Sequence, residues 1–204
     1  MINTFIFDLG GVIIDLEERD SYDSLSKIVG LSLSEIQSMV SQSVIFNQHE
    51  KGLISNDVFR KGINDLFQCN LSDHQIDIAW NAMLKKIPIE RLDLLLALRK
   101  NYKVLVLSNT NSIHIRRFNE ILMSVSGKKS LDYFADYVFF SHELNMRKPD
   151  MEIYEEVLKR SNSEASESIF MDDKLENLKS AASIGISTFH VSEPDKIFEL
   201  KKYV

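Results

Sequence analysis

The sequence predicts an α/β fold: a doubly wound, Rossmann-like parallel sheet with an α-helical block inserted after its first strand. Three observations carry this. An apolar run at the N-terminus, Thr4 to Phe7, ends on Asp8 and breaks at once into Gly10 and Gly11. Strand-like runs are then nearly absent until Val104, where strand and helix patterns begin to alternate. Strands separated by helices imply parallel pairing through right-handed crossovers.

The first strand reads as central, because an uninterrupted apolar run suits burial on both faces. The glycines that follow allow a tight turn and a close approach of backbone to ligand. From Ser21 to Lys85 the apolar residues recur near helical spacing, in segments over Ser21 to Val29, Ser34 to Phe46, Asn56 to Phe67 and Ser72 to Lys85. Ser34, Asn56 and Ser72 or Asp73 are the expected N-caps. Pro88 closes this block, and Glu90 to Lys100 starts a new helix. Strands are expected at Val104 to Leu107, Tyr137 to Phe140, Ser168 to Met171 and Thr188 to Val191. Helices are expected over about 113–123, from Pro149 to about Arg160, over Leu175 to Ile184 and from Pro194. The expected division is a catalytic core of 1–15 and 89–204 with a helical cap of 16–88.

At 204 residues the chain can bury a sizeable core. With 24 Lys and Arg against 30 Asp and Glu, a net charge of −6 and no long basic run argue against nucleic acid or an anionic membrane as the main partner. The single cysteine, Cys69, rules out an internal disulfide and a paired-cysteine zinc site. No apolar run approaches the roughly 18 residues of a membrane span, and no leader is seen. A soluble, cytoplasmic, monomeric protein is therefore expected.

Open α/β sheets bind ligands at the carboxyl ends of their strands. There this chain gathers a carboxylate nucleophile in Asp8, a hydroxyl and backbone N–H groups at Ser108 and Asn109, a cation in Lys148, and hard oxygens for Mg²⁺ in Asp172 and Asp173. Alone, each piece reads as turn or capping chemistry. Their shared placement after successive strands suits phosphoryl transfer, which needs an in-line nucleophile and neutralised phosphate oxygens.

The segments FDLGGVIID, LSNTN, MRKPD and FMDDKLENL resemble motifs one to four of the haloacid dehalogenase superfamily, and FNQHEKGLIS resembles a branch of bacterial glucose-1-phosphate phosphatases. The resemblance implies that Asp8 is nucleophile and metal ligand, that Ser108 and Asn109 hold phosphate, and that Lys148 bridges phosphate and nucleophile. It further implies a Mg²⁺ held by Asp8, the Gly10 carbonyl and Asp173, with Asp172 beside it and Asn177 as an orienting group. The substrate would be a small phosphate ester, such as glucose-1-phosphate, turned over through a phosphoaspartyl intermediate. One departure stands out: most phosphatases of that superfamily carry an acid–base Asp two positions after the nucleophile, and here the residue is Gly10. The gap beside Gly10 is expected to admit water. Asp15, His49 and Glu50 are the nearest replacements, and His49 and Glu50, expected in a cap loop, are also candidates for binding substrate hydroxyls. Asp15 is otherwise a hinge residue, Arg147 a surface cation and Trp80 a packing residue. The competing readings are a metal-free haloacid dehalogenase, which Asp172 and Asp173 count against, a phosphomutase, which Gly10 counts against, and a phosphate-binding regulatory protein without turnover.

Overall fold

A computed structural model describes all of residues 1–204. β1 (Thr4–Phe7) is followed by five helices: α1 (Glu18–Val29), α2 (Leu33–Gln42), α3 (Ile45–Glu50), α4 (Asn56–Phe67) and α5 (Asp73–Asn81). Then come α6 (Ile89–Leu98), β2 (Lys103–Ser108), α7 (Ser112–Ser126), β3 (Tyr137–Phe140), α8 (Ser141–Leu144) and α9 (Met151–Ser161). β4 (Ser168–Asp172), α10 (Leu175–Ser183), β5 (Ser187–His190) and a 3₁₀ segment, Pro194–Tyr203, complete the chain. The five strands pair in parallel in the order β3-β2-β1-β4-β5, with β1 central. No helix is long and apolar enough to cross a membrane.

Strand side chains alternate between two cores. Phe5, Phe7, Val104, Val106 and Met171 face one layer, where α6, α7 and the C-terminal 3₁₀ segment supply Leu92, Phe118, Leu122 and Ile197. Ile6, Leu105, Leu107 and Phe170 face the other, against Ile153, Tyr154 and Val157 of α9 and Leu178 of α10. Each fully buried side chain of this size contributes about 1.5–3 kcal/mol. That double coverage explains why β1 and β2 read as unbroken apolar runs.

The five inserted helices have an apolar centre of their own, including Leu25, Ile36, Phe59, Ile63 and Trp80, and Ile113 of α7 joins it. Where the chain enters and leaves this block, its two connections pair: Asp15 N–H donates to the Lys86 carbonyl, Lys85 N–H to the Asp15 carbonyl, and Leu16 bridges Leu84.

Several boundaries differ from the sequence expectation. Ser32 and Ser55, rather than Ser34 and Asn56, cap α2 and α4, and Ser32 forms a capping box with Glu35. Ser72 caps α5 as expected. Asn56, free of capping, instead accepts a hydrogen bond from Ser112 at 2.8 Å. α7 runs three residues beyond Met123, to Ser126. Pro149 does not begin α9: the Lys148–Pro149 peptide is cis, and the helix starts at Met151 after Asp150. His49 and Glu50 end a helix, α3, instead of lying in a loop, and α8 was not foreseen.

Candidate active site

The carboxyl ends of β1, β2 and β4 and the loop before α9 bring Asp8, Ser108, Lys148, Asp172 and Asp173 together at one edge of the sheet. Lys148 is 1% exposed, with Nζ 2.8 Å from Asp8 Oδ1 and 2.7 Å from Asp172 Oδ2. Burial alone would lower its pKa, but the Asp8 and Asp172 carboxylates outweigh burial and hold it above the ordinary lysine value. Asp8 is pushed the other way. Burial raises its pKa to about 7, against the pull of Lys148 and with further upward pressure from Asp172 and Asp173.

Asp8, Asp172 and Asp173 each place a carboxylate oxygen within 4.8 Å of the others. Their states differ. Both oxygens of the fully buried Asp172 are engaged, by Lys148 Nζ, the Lys174 N–H and Asn177 Nδ2. Asn177 Nδ2 thus holds both oxygens of Asp172, the contact expected of an orienting group, and its own carbonyl accepts from Tyr154. Asp173 instead keeps a buried Oδ1 with no protein partner, and burial together with neighbouring Asp172 raises its pKa. A buried unpaired carboxylate oxygen beside two further carboxylates fits a hard cation. Gly11 permits this approach: its φ is +71°, and a Cβ there would lie 2.8 Å from Asp173 Oδ2.

The phosphate-holding pair divides differently from expectation. Ser108 is buried, and its hydroxyl makes only a 3.5 Å contact with the Asn109 carbonyl. The Asn109 side chain is consumed: Nδ2 donates to the Lys148 carbonyl and Oδ1 accepts from the Lys148 N–H, both at 2.8 Å. It therefore fixes the lysine's backbone, and only its main chain is left to face a ligand.

A cavity of about 270 Å³ opens over these residues, between the sheet edge and the inserted helices. Its polar wall carries Glu18, Tyr22, Glu50, Arg147 and Lys174, and its apolar wall Leu16, Phe46, Trp80, Met83 and Phe118. Glu50 lies 3.0 Å from Arg147 and Glu18 3.1 Å from Lys174. Burial raises the Glu50 pKa against the attraction of Arg147.

The structure corrects the expectations for His49, Asp15 and Arg147. His49 does not reach the cavity: it is 3% exposed, stacks on Phe59 at 4.0 Å and pairs Nε2 with Asn56 at 2.8 Å, because it ends a helix whose face turns into the block's own core. Asp15 also lies off the cavity, in an ion pair with the buried Arg91 at 2.8 Å, as suits an anchored hinge. Arg147 is a half-buried cavity residue rather than a surface cation. On its Cβ side Gly10 is filled by Leu16, whose Cδ1 would stand 2.3 Å from a Cβ there, while Gly10 itself lines the cavity. Glu18, Tyr22, Lys174 and His114 are cavity residues the sequence did not single out. Only the helical face that Glu18, Tyr22 and His114 share with buried neighbours could have marked those three; Lys174 lies in the turn before α10.

Residues 2–185 match the haloacid dehalogenase-like hydrolase family. The chain is 33% identical over 190 residues to a D-ribitol-5-phosphate phosphatase of Bacteroides thetaiotaomicron, covering 93% of this chain and 91% of the relative. A solved haloacid dehalogenase family enzyme from the same organism, in complex with magnesium and inorganic phosphate, superposes with a TM-score of 0.86 at 37% identity, over 93% of this chain and 94% of the other. A structure described as a predicted HAD-like family hydrolase from Porphyromonas gingivalis superposes with a TM-score of 0.84 at 29% identity, over 96% and 92%.

Proposed function

The chain belongs to the haloacid dehalogenase-like hydrolases and is a phosphatase of that family, and from this premise we propose a magnesium-dependent enzyme that hydrolyses a small sugar or polyol phosphate through a phosphoaspartyl intermediate. The observation that carries the proposal is the buried triad of Lys148 between Asp8 and Asp172, with the unpaired Asp173 oxygen beside it. Magnesium would be held by Asp8, Asp173 and the Gly10 carbonyl, with Asp172 beside them supplying charge through the lysine it positions. When bound, the cation offsets negative charge on the phosphate and favours the ionised form of Asp8. The relative solved with magnesium and inorganic phosphate supports magnesium as the cation.

In this reading a carboxylate oxygen of Asp8 attacks phosphorus as the ester P–O bond breaks. The alcohol leaves with the bonding pair and takes its proton from water. Lys148, held by two carboxylates, neutralises charge on the phosphate, and the Ser108 hydroxyl donates to a phosphate oxygen. A second water then attacks phosphorus, releasing phosphate and restoring Asp8. The block of α1 to α5 acts as a cap, within 16–88, whose Glu50 binds the substrate's hydroxyls.

The ribitol-5-phosphate activity of the 33% identical relative and the glucose-1-phosphate likeness of FNQHEKGLIS both support a phosphorylated carbohydrate. A metal-free dehalogenase has no use for three carboxylates around one point, so the cluster weighs against it. The test is a panel of sugar, polyol and nucleotide phosphates assayed with Mg²⁺ and with chelator, on wild type and Asp8→Asn. Turnover confined to wild type with Mg²⁺, and strongest on carbohydrate phosphates, is expected. Equal turnover in chelator, or by Asp8→Asn, would remove the mechanism.

A further inference from the structure

His114, in the first turn of α7, lines the cavity and is used by none of the chemistry above. Its ring stacks on Trp80 with centroids 5.1 Å apart and planes 22° from parallel. Its Nδ1 lies 2.9 Å from Asn81 Oδ1. An amide oxygen only accepts, so Nδ1 carries the ring proton, and in the neutral ring Nε2 is an acceptor. Burial pushes the pKa of His114 down to about 3, with His49 adding to the effect, so the ring stays neutral throughout the working range. Nε2 makes no hydrogen bond within the protein, yet it is not among the sealed, partnerless atoms.

The surroundings decide what such an acceptor is for. Of the cavity's carboxylates, Asp8 and Asp173 belong to the catalytic cluster, and Glu18 and Glu50 each lie against a cation, Lys174 and Arg147. Near His114 the wall is apolar, made by Trp80, Ile115 and Phe118. The protein supplies no donor to Nε2, so a donor carried by a ligand in the cavity can meet it. A phosphate cannot be that donor, because its oxygens accept, whereas a hydroxyl on the alcohol portion of the substrate can.

We propose that His114 is a specificity-determining residue, whose unprotonated Nε2 accepts a hydrogen bond from a hydroxyl on the leaving group of the substrate. It thereby selects hydroxylated phosphomonoesters over alkyl phosphates of the same length. The inference rests on the carbohydrate-phosphate reading above and deepens it.

The experiment compares ribitol-5-phosphate with n-pentyl phosphate, which has the same chain length and no hydroxyls, on wild type, His114→Phe and His114→Gln. Phe keeps the stack on Trp80 and loses the acceptor, whereas Gln retains an acceptor oxygen. The wild-type preference for ribitol-5-phosphate should fall about tenfold in His114→Phe, chiefly through KM, the loss expected for one neutral hydrogen bond. His114→Gln should recover part of it. In ¹⁵N spectra of the full-length Asp8→Asn protein, His114 Nε2 should appear unprotonated and shift on addition of ribitol-5-phosphate but not of n-pentyl phosphate. An unchanged preference in a folded His114→Phe, a protonated Nε2, or identical shifts with both esters would overturn the proposal. Efficient wild-type turnover of both esters alike would overturn it while leaving the phosphatase intact. Absence of turnover on every ester would remove both.

Discussion

The sharpest consequence of the site concerns leaving-group protonation. At Gly10 the backbone is not left-handed, so an aspartate there would meet no conformational strain. What stands in its place is Leu16: the three atoms nearest a built Cβ are Leu16 Cδ1, Cγ and Cδ2, at 2.3, 3.3 and 4.0 Å. Leu16→Ala removes all three. Because Leu16 is only half-buried, the truncation should cost about 2 kcal/mol, the lower end for leucine in a core. A positioned general acid contributes roughly 10²–10⁴-fold when the leaving group is a poor one. Wild type, lacking it, should therefore hydrolyse aryl phosphates and sugar-1-phosphates much faster than primary alkyl esters of matched binding. Gly10→Asp alone should gain less than about tenfold, since Leu16 crowds the new side chain. Gly10→Asp with Leu16→Ala should gain about 10²-fold on alkyl esters and little on aryl ones. The assay is single-turnover hydrolysis across esters of graded leaving-group pKa. A flat wild-type series with chemistry rate-limiting, or a double variant that gains nothing on alkyl esters, would refute the argument. A flat series steepened by Glu50→Gln would assign the acid to Glu50, the candidate that faces the cavity now that Asp15 and His49 lie elsewhere.

Lys148→Ala strands two buried carboxylates and should destabilise the fold by about 3–5 kcal/mol, lowering Tm by on the order of 10 °C. Thermal melting checks this, and an unchanged Tm with normal kinetics would break the assignment of the triad. Asp8, with a folded pKa of about 7 against an ordinary 3.8, binds more protons folded than unfolded between those values, so its contribution to stability in the metal-free protein falls as pH rises across that window. Protons and Mg²⁺ compete for the same carboxylate, so Mg²⁺ should raise Tm strongly at pH 8 and little at pH 5, and equal shifts at both would separate Asp8 from metal binding.

Much of the core was legible because its burial is two-sided. β1 and β2, covered by helices on both faces, leave unbroken apolar runs, and the polar groups at their ends must lie on one edge once pairing is parallel. Asp8, Lys148 and Asp172 follow from that topology. The apolar wall of the cavity does not follow from it. Trp80 belongs to the core of the inserted helices and also faces the cavity, a double role that depends on how α5 docks against α7 and leaves no mark on periodicity. His49 and Glu50 show the same difficulty one residue apart. They are neighbours on α3, separated by about 100° of helix, so one turns into the Phe59 stack and the other onto the cavity. Placing them in a loop hid that difference.

The site thus joins two kinds of positioning. Asp8 and Asp172 are fixed by a buried sheet, and Lys148 by the Asn109 side chain, which grips both its N–H and its carbonyl. Small displacements there would be resisted by close packing. The opposite wall is joined to the core by exposed or half-exposed ion pairs, Glu18 with Lys174, Glu50 with Arg147 and Lys51 with Asp150, and by buried contacts with α7, where Ile113 enters the core of the inserted helices and His114 stacks on Trp80 and meets Asn81. Such ion pairs are worth about 0–1 kcal/mol each, so the buried contacts with α7 hold the wall more firmly than the pairs do. The chain itself links wall and sheet through the paired connections at Asp15 and Lys85, with Arg91 holding the Asp15 side to the core. The phosphate chemistry then stays with the rigid sheet edge, and the choice of alcohol is shared between His114 of α7 and the wall of inserted helices that it meets.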